Sequence, residues 1–175
     1  MTSPAGPAVL PNKLRKLRRE PGFVWLWLGP TWALLGLSRG LIALVPFRRL
    51  APLLGTNVGV EPWVPLVSAV QAVRARLIGR SVQIAARYTP WESNCFPQAI
   101  TARLLLGLYR IPFALYLGLA RDRDNNDLSA HAWVTAGPMH VAGGGADFER
   151  FTVVGCFVAP VLAKRMGLPV PRMPG

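Results

Sequence analysis

A chain of 175 residues suits one ordinary domain with a real core. Its 20 Lys and Arg against 8 Asp and Glu give a net charge of +12 on a charged fraction of only 16%, which points to an acidic polypeptide or an anionic membrane surface. Nucleic acid is not expected, since the only dense basic cluster is Lys13, Arg15, Lys16, Arg18 and Arg19, and two cysteines without Cys-x-x-Cys spacing make neither a disulfide scaffold nor a structural zinc site.

Residues 1–20 read as a basic tail, small and proline-rich at first and then "NKLRKLRRE", helical in propensity. Residues 21–38 carry no charge, which raises the question of a membrane span. Gly29-Pro30 divides that stretch and Arg39 closes it, so a buried helical hairpin is expected, with membrane-surface or partner contact through residues 13–45 left open. "TNVGVEPWVP", residues 56–65, is a connector rich in Pro and Gly and ends an apolar helical segment of residues 21–65.

Residues 66–87 place Leu66, Val70, Val73, Leu77 and Ile84 at helical spacing, with Arg74, Arg76, Arg80 and Arg87 mostly off that stripe, which predicts an amphipathic helix with a solvated basic face. A second helix is predicted from Cys95. Short apolar runs separated by turn residues follow: "PFALYLGLAR", "LSAHAWVTA", "MHVAG" after a Gly137-Pro138 turn, and "RFTVVGCFV". A helix followed by antiparallel strands is the α+β class. The core is expected over residues 66–160, with 161–175 a C-terminal tail.

Ser93 or Asn94 is placed to cap the helix at Cys95, and Pro97 falls in its first turn. Cys95, Ala99, Ala102 and Leu106 then share the inward face. A thiol at a helix N-terminus sits against the positive end of the dipole, which favours the thiolate, and nucleophilic catalysis needs that thiolate and a base. Only His131 and His140 are available as the base. His131 is preferred, because "SAHAWV" fixes it within a strand beside Trp133, with His140 its neighbour on the returning strand. A carboxylate that orients the imidazole must come from few candidates, and after His131 there are only Asp147 and Glu149, of which Asp147 is the closer in register. The backbone N–H of Cys95 is an oxyanion donor candidate, and Gln98 a second. A bridge from Cys95 to Cys156 in an oxidising compartment would remove the nucleophile.

Taken together, "PWESNCFPQAITARLLLGLYRIPFALYLGLARD", "SAHAWVTAG" and "FTVV" resemble the transglutaminase-like cysteine peptidase of lasso peptide biosynthesis, the protease half of the B protein. The likeness runs over about residues 88–158: Trp91 four positions before Cys95, Gln98-Ala99 after it, Ile111-Pro112 after the helix, and His131-Ala132-Trp133. "PFRRLAPLLG" is similar to the helical prelude of stand-alone members. The resemblance implies a transglutaminase-like, papain-like core, a nucleophile helix on an antiparallel sheet, preceded by apolar helices. It implies removal of a leader from a precursor peptide by Cys95, His131 and Asp147 without a cofactor or metal, near Trp91, Trp133 and His140. It also implies a separate leader-recognition protein, an asparagine-synthetase-like cyclase and a cytoplasmic setting. The family's acid usually lies near the end of the strand after the His, where this chain has Gly143, Gly144 and Gly145. Transamidation or deamidation of glutamine through the same thioester, and a non-catalytic membrane-surface or scaffold role, are the alternatives.

Overall fold

The uncharged N-terminal stretch forms one helix, α1, Gly22–Leu44, and not the hairpin expected from Gly29-Pro30. Gly29 and Pro30 both lie on the exposed side, where the carbonyl released by the proline ring can turn to water, while Val24, Thr31, Leu35 and Ser38 hold the inner side to the protein. In this computed structural model, which describes residues 20–61, 63–121, 127–143 and 150–168, no helix is long and apolar enough to cross a membrane. The expected basic tail lies almost wholly outside the described residues. Glu20, at its end, is ion-paired to Arg80.

After α2, Phe47–Leu54, the expected connector contributes a two-residue strand, β1, Thr56–Asn57, to the sheet edge. Helix α3, Ala69–Ala86, starts at a capping box: the Ser68 hydroxyl accepts from the Gln71 N–H and the Gln71 side chain accepts from the Ser68 N–H. Its buried side differs from the expected stripe. Val70 and Val73 are exposed and Leu66 is 91% exposed, whereas Ala75, Ile78, Val82 and Ala85 are buried with Ile84. Small residues decide this, because they let the helix approach backbone closely. A Cβ on Gly79 would stand 2.5 Å from the Val141 carbonyl oxygen. Gly79→Val is therefore expected to cost about 1–3 kcal/mol in urea unfolding, since backbone on the facing strand must move.

Helix α4, Cys95–Leu108, lies beside α1 and α3, with the Ser38 and Thr101 hydroxyls 3.3 Å apart where α1 crosses it. The strands are β2, Ala114–Arg121; β3, Leu128–Ala136; β4, Met139–Ala142; and β5, Thr152–Val158. They form one antiparallel sheet in the order β1-β5-β2-β3-β4. Each expected strand run is present, but β5 returns past β3 to pair with β2, so the chain is not a simple meander. The β3–β4 hairpin turns on Gly137 at φ +61, a left-handed position that favours glycine. A short helix, α5, Pro160–Arg165, occupies the start of the expected C-terminal tail.

Alternation along the strands gives the sheet two apolar faces. Leu115, Ala132, Val134 and Phe157 meet the helices in the main core, and Tyr116, Trp133, Cys156 and Val158 form a second cluster on the opposite face.

Candidate active site

Helix α4 begins at the predicted residue, and Ala99, Ala102 and Leu106 below Cys95 are fully buried. The cap differs from expectation. Asn94 is the N-cap residue but makes no side-chain cap hydrogen bond, and the Ser93 hydroxyl is taken up by Thr89 at 2.9 Å. The first turn of α4 thus has no side-chain acceptor, in contrast to the boxed start of α3, and its outward N–H groups stay available for an anion.

Asn94, Cys95 and Phe96 open onto a cavity of about 360 Å³ whose other walls include Phe47, Leu117–Leu119, Ala130–Ala132 and Val154. His131 is among the lining residues with its β3 neighbours Ala130 and Ala132, so the start of α4 and the middle of β3, remote in sequence, meet at this cavity, although Cys95 packs on the main core and the His131 ring stands on the face of the second cluster. The walls are mainly apolar. A bulge shapes them: Leu117 pairs with Gly155 and Gly118 with Val153, leaving Val154 as the extra residue of β5. Gly118 cannot carry a side chain without striking the Trp133 ring, which would be 2.8 Å from its Cβ. A glycine inside a strand was the sequence signal for that close approach. Phe47 and Phe96, whose ring centroids are 6.4 Å apart, had no such signal.

His131 lies opposite Gly118 on β3, on the face of the second cluster, with its ring stacked on Trp133 at 5.8 Å and tilted on Phe151 at 5.0 Å. Its Nε2 is 2.8 Å from the carbonyl oxygen of Gly143. A carbonyl can only accept, so Nε2 carries the proton in this contact. Gly143 sits just beyond β4 at φ +73, and a Cβ there would lie 2.2 Å from the Ala132 oxygen, so only glycine can present its carbonyl in this way.

The remaining candidates are placed as follows. Gln98 donates through Nε2 to the Ser93 carbonyl at 2.6 Å, tying the loop before the helix to its first turn. Trp91 packs tilted on Trp32, ring centroids 4.6 Å apart, and lies against Gly36 of α1, so it fastens that loop to α1 and is not among the residues lining the cavity. His140 is exposed and pairs with Thr135, four positions along β3 from His131 and not with His131 as expected, as the regular register from the Gly137-Pro138 turn dictates; the ladder slips only beyond that pair, where Val134 meets Ala142. Asp147 and Glu149 fall outside the described residues.

Both cysteines are free thiols, so the Cys95 to Cys156 bridge is not formed: Cys156 is fully buried on the sheet face away from α4. Burial pushes the Cys156 thiol up to about 12. Iodoacetamide near pH 8 is accordingly expected to add one label per chain, on Cys95, and none on Cys156, as peptide mass spectrometry would show.

The sequence pattern of the transglutaminase-like superfamily matches residues 41–156. No curated protein and no solved structure matches the chain. Members of that superfamily are usually cysteine-type enzymes, which agrees with a half-buried cysteine and a histidine sharing one cavity. With two thirds of its length matched by this pattern, the chain belongs to the transglutaminase-like superfamily.

Proposed function

We propose that the protein is a cysteine peptidase that removes the leader from a ribosomally made lasso precursor peptide. The observation that carries this reading is Cys95 at a helix N-terminus without a side-chain cap, opening onto the cavity that His131 also lines. The motif resemblance around Cys95 and His131 supports the choice of substrate.

In this reading the His131 imidazole takes the thiol proton across the cavity that both residues line, and Cys95 Sγ attacks the carbonyl carbon at the leader–core junction. The oxyanion forms against the N–H groups of the first turn of α4, Cys95 among them, with the Gln98 amide one turn inside. Collapse breaks the C–N bond, and the imidazolium gives its proton to the departing amine of the core. Water then hydrolyses the leader thioester, releasing a carboxylate and restoring the thiol. The Gly143 carbonyl keeps the ring in the tautomer this cycle needs, and Asp147 is the carboxylate proposed to offset the imidazolium charge. The freed core amine is the group that a macrolactam cyclase would consume, and a separate leader-recognition protein would supply affinity by tethering the leader, which raises its effective concentration. The work is placed in the cytoplasm.

The test is mass spectrometry of a precursor peptide incubated with the protein, with and without its leader-recognition partner. One cut at the leader–core junction, accelerated by the partner, is the expected result. Ammonia release from a glutamine peptide with the chain left intact would transfer the assignment to deamidation or transamidation.

A further inference from the structure

A second cavity, of about 460 Å³, lies at the far end of the nucleophile helix, between the last turns of α4, the 109–113 connection and the start of α5. Arg103 and Arg110 line it with an apolar remainder that includes Leu108, Phe113 and Val161. The position of Arg103 on α4 is about 12 Å along the axis from Cys95, so this cavity is separate from the one at the thiol.

Three features of the arginines leave their charge uncompensated or their backbone strained. First, the Arg103 guanidinium lies 5.9 Å from the Phe113 ring centroid, and its Nε is buried with no hydrogen-bond partner. Burial holds its pKa below the usual guanidinium value, the sign of a charge that the surroundings leave uncompensated. Second, among the described residues no carboxylate is within ion-pair distance of Arg103 or Arg110. Third, Arg110 has φ +53, the only described residue other than glycine with a positive φ. It stands at the left-handed position that ends α4, where the Ile111 N–H returns to the Leu106 carbonyl at 2.9 Å. Glycine is at ease in that conformation and arginine is strained. A side chain carried at this strained position on the cavity wall is in place to meet a ligand. Exposed Leu108 and Val161 on the rim extend the cavity's apolar character outward, so the site joins two cations to apolar surface on a chain of net charge +12.

The geometry points to a second peptide-binding site, in which Arg103 and Arg110 hold the carboxylates of an acidic, leucine-rich segment of the substrate at a distance from the bond to be cut. That the occupant is substrate rests on the peptidase reading. The binding itself does not, and it can be measured without cleavage.

The experiment is calorimetric titration of the full-length Cys95→Ala protein with acetyl-Leu-Glu-Glu-Leu-Leu-Glu-Glu-amide and with its glutamine counterpart. The glutamate peptide is expected to bind at least ten-fold more tightly. That preference is expected to vanish in Arg110→Gly, which unfolds at the same or a higher temperature because the strained position is relieved, and in Arg103→Met, which keeps the aliphatic packing on Phe113. Arg76→Met, an exposed control outside the cavity, is expected to keep it. Leu108→Glu, on an exposed position, should block the site without harm to the fold, which preserves the test if Arg103→Met proves unstable. Equal binding of the two peptides, an equal loss in Arg76→Met, or displacement by inorganic phosphate at concentrations no higher than the peptide's would overturn the proposal. Loss of leader cleavage in the native protein would count against the peptidase reading and leave this result standing.

Discussion

Cys95→Ala is expected to lower leader removal by about 10⁴-fold or more while leaving the unfolding midpoint nearly unchanged. The kinetic loss follows from the chemistry: without Sγ no thioester forms, and what remains is the positioning of the peptide and the oxyanion donors. The small structural effect follows from the site. Cys95 is half-buried in the first turn of α4, alanine suits a helix, and the sulfur packs only partly against the core. His131→Ala should fall as far in rate, because a nucleophile and its base act as a unit and their losses do not add. The measurements are kcat/KM on the precursor with its leader-recognition partner present, and chemical unfolding by circular dichroism. A Cys95→Ala protein that cuts at the native rate would place the nucleophile elsewhere.

The second large effect is expected at a residue with no side chain. Gly143→Ala forces a methyl group to within 2.2 Å of the Ala132 oxygen at a φ of +73, so the backbone must shift, and the carbonyl that holds His131 Nε2 shifts with it. Loss of the orienting partner lets the ring turn or change tautomer, and in comparable triads this costs about 10³–10⁴-fold. The expectation for Gly143→Ala is a loss of about 10³-fold in kcat with little change in KM. Three readouts separate misorientation from general damage. Long-range proton–nitrogen NMR should find the Nε2–H tautomer in the native protein and a mixture in the variant. The pH profile of Cys95 alkylation should move, and far-UV circular dichroism should keep the native helix and strand content. Asp147→Asn is expected to lose less than about ten-fold, since the carbonyl still sets the tautomer. A loss at Asp147 as large as at Gly143 would give the orienting role to the carboxylate.

Much of the core could be read from local chemistry. The strand runs around His131 and Cys156 stand out as short apolar, β-branched stretches bounded by turn residues, and Pro97 behind a polar pair marks the start of α4. These are short-range signals, and the structure keeps them. What failed were inferences in which tertiary contact outweighs a local rule. Pro30 breaks a helix only when the carbonyl it releases must be buried, and here that side of α1 faces water. The large apolar residues of α3 looked like its inner stripe, yet Ala75 and Gly79 won because close approach to β4 buries more backbone and side chain together than Val70 and Val73 would. The register from the Gly137-Pro138 turn was legible and leaves His140 against Thr135, but the slip beyond it, which sets Ala142 rather than Val141 opposite Val134, was not. The Gly143 carbonyl was illegible for a different reason: the sequence shows three glycines where an acid was sought, and nothing in a glycine announces that its main chain will accept a hydrogen bond.

The strand order also bears on when the protein can act. β2 is flanked by β3 and β5, and Phe151 and Val154, which pack on the imidazole and wall the cavity, belong to the last stretch of sheet to be synthesised. A chain emerging from the ribosome therefore carries its thiol and its imidazole well before the pocket around them can close. If the protein is the peptidase proposed above, its competence is deferred until the final strand pairs with β2, which would spare nascent neighbours from an exposed, half-built nucleophile.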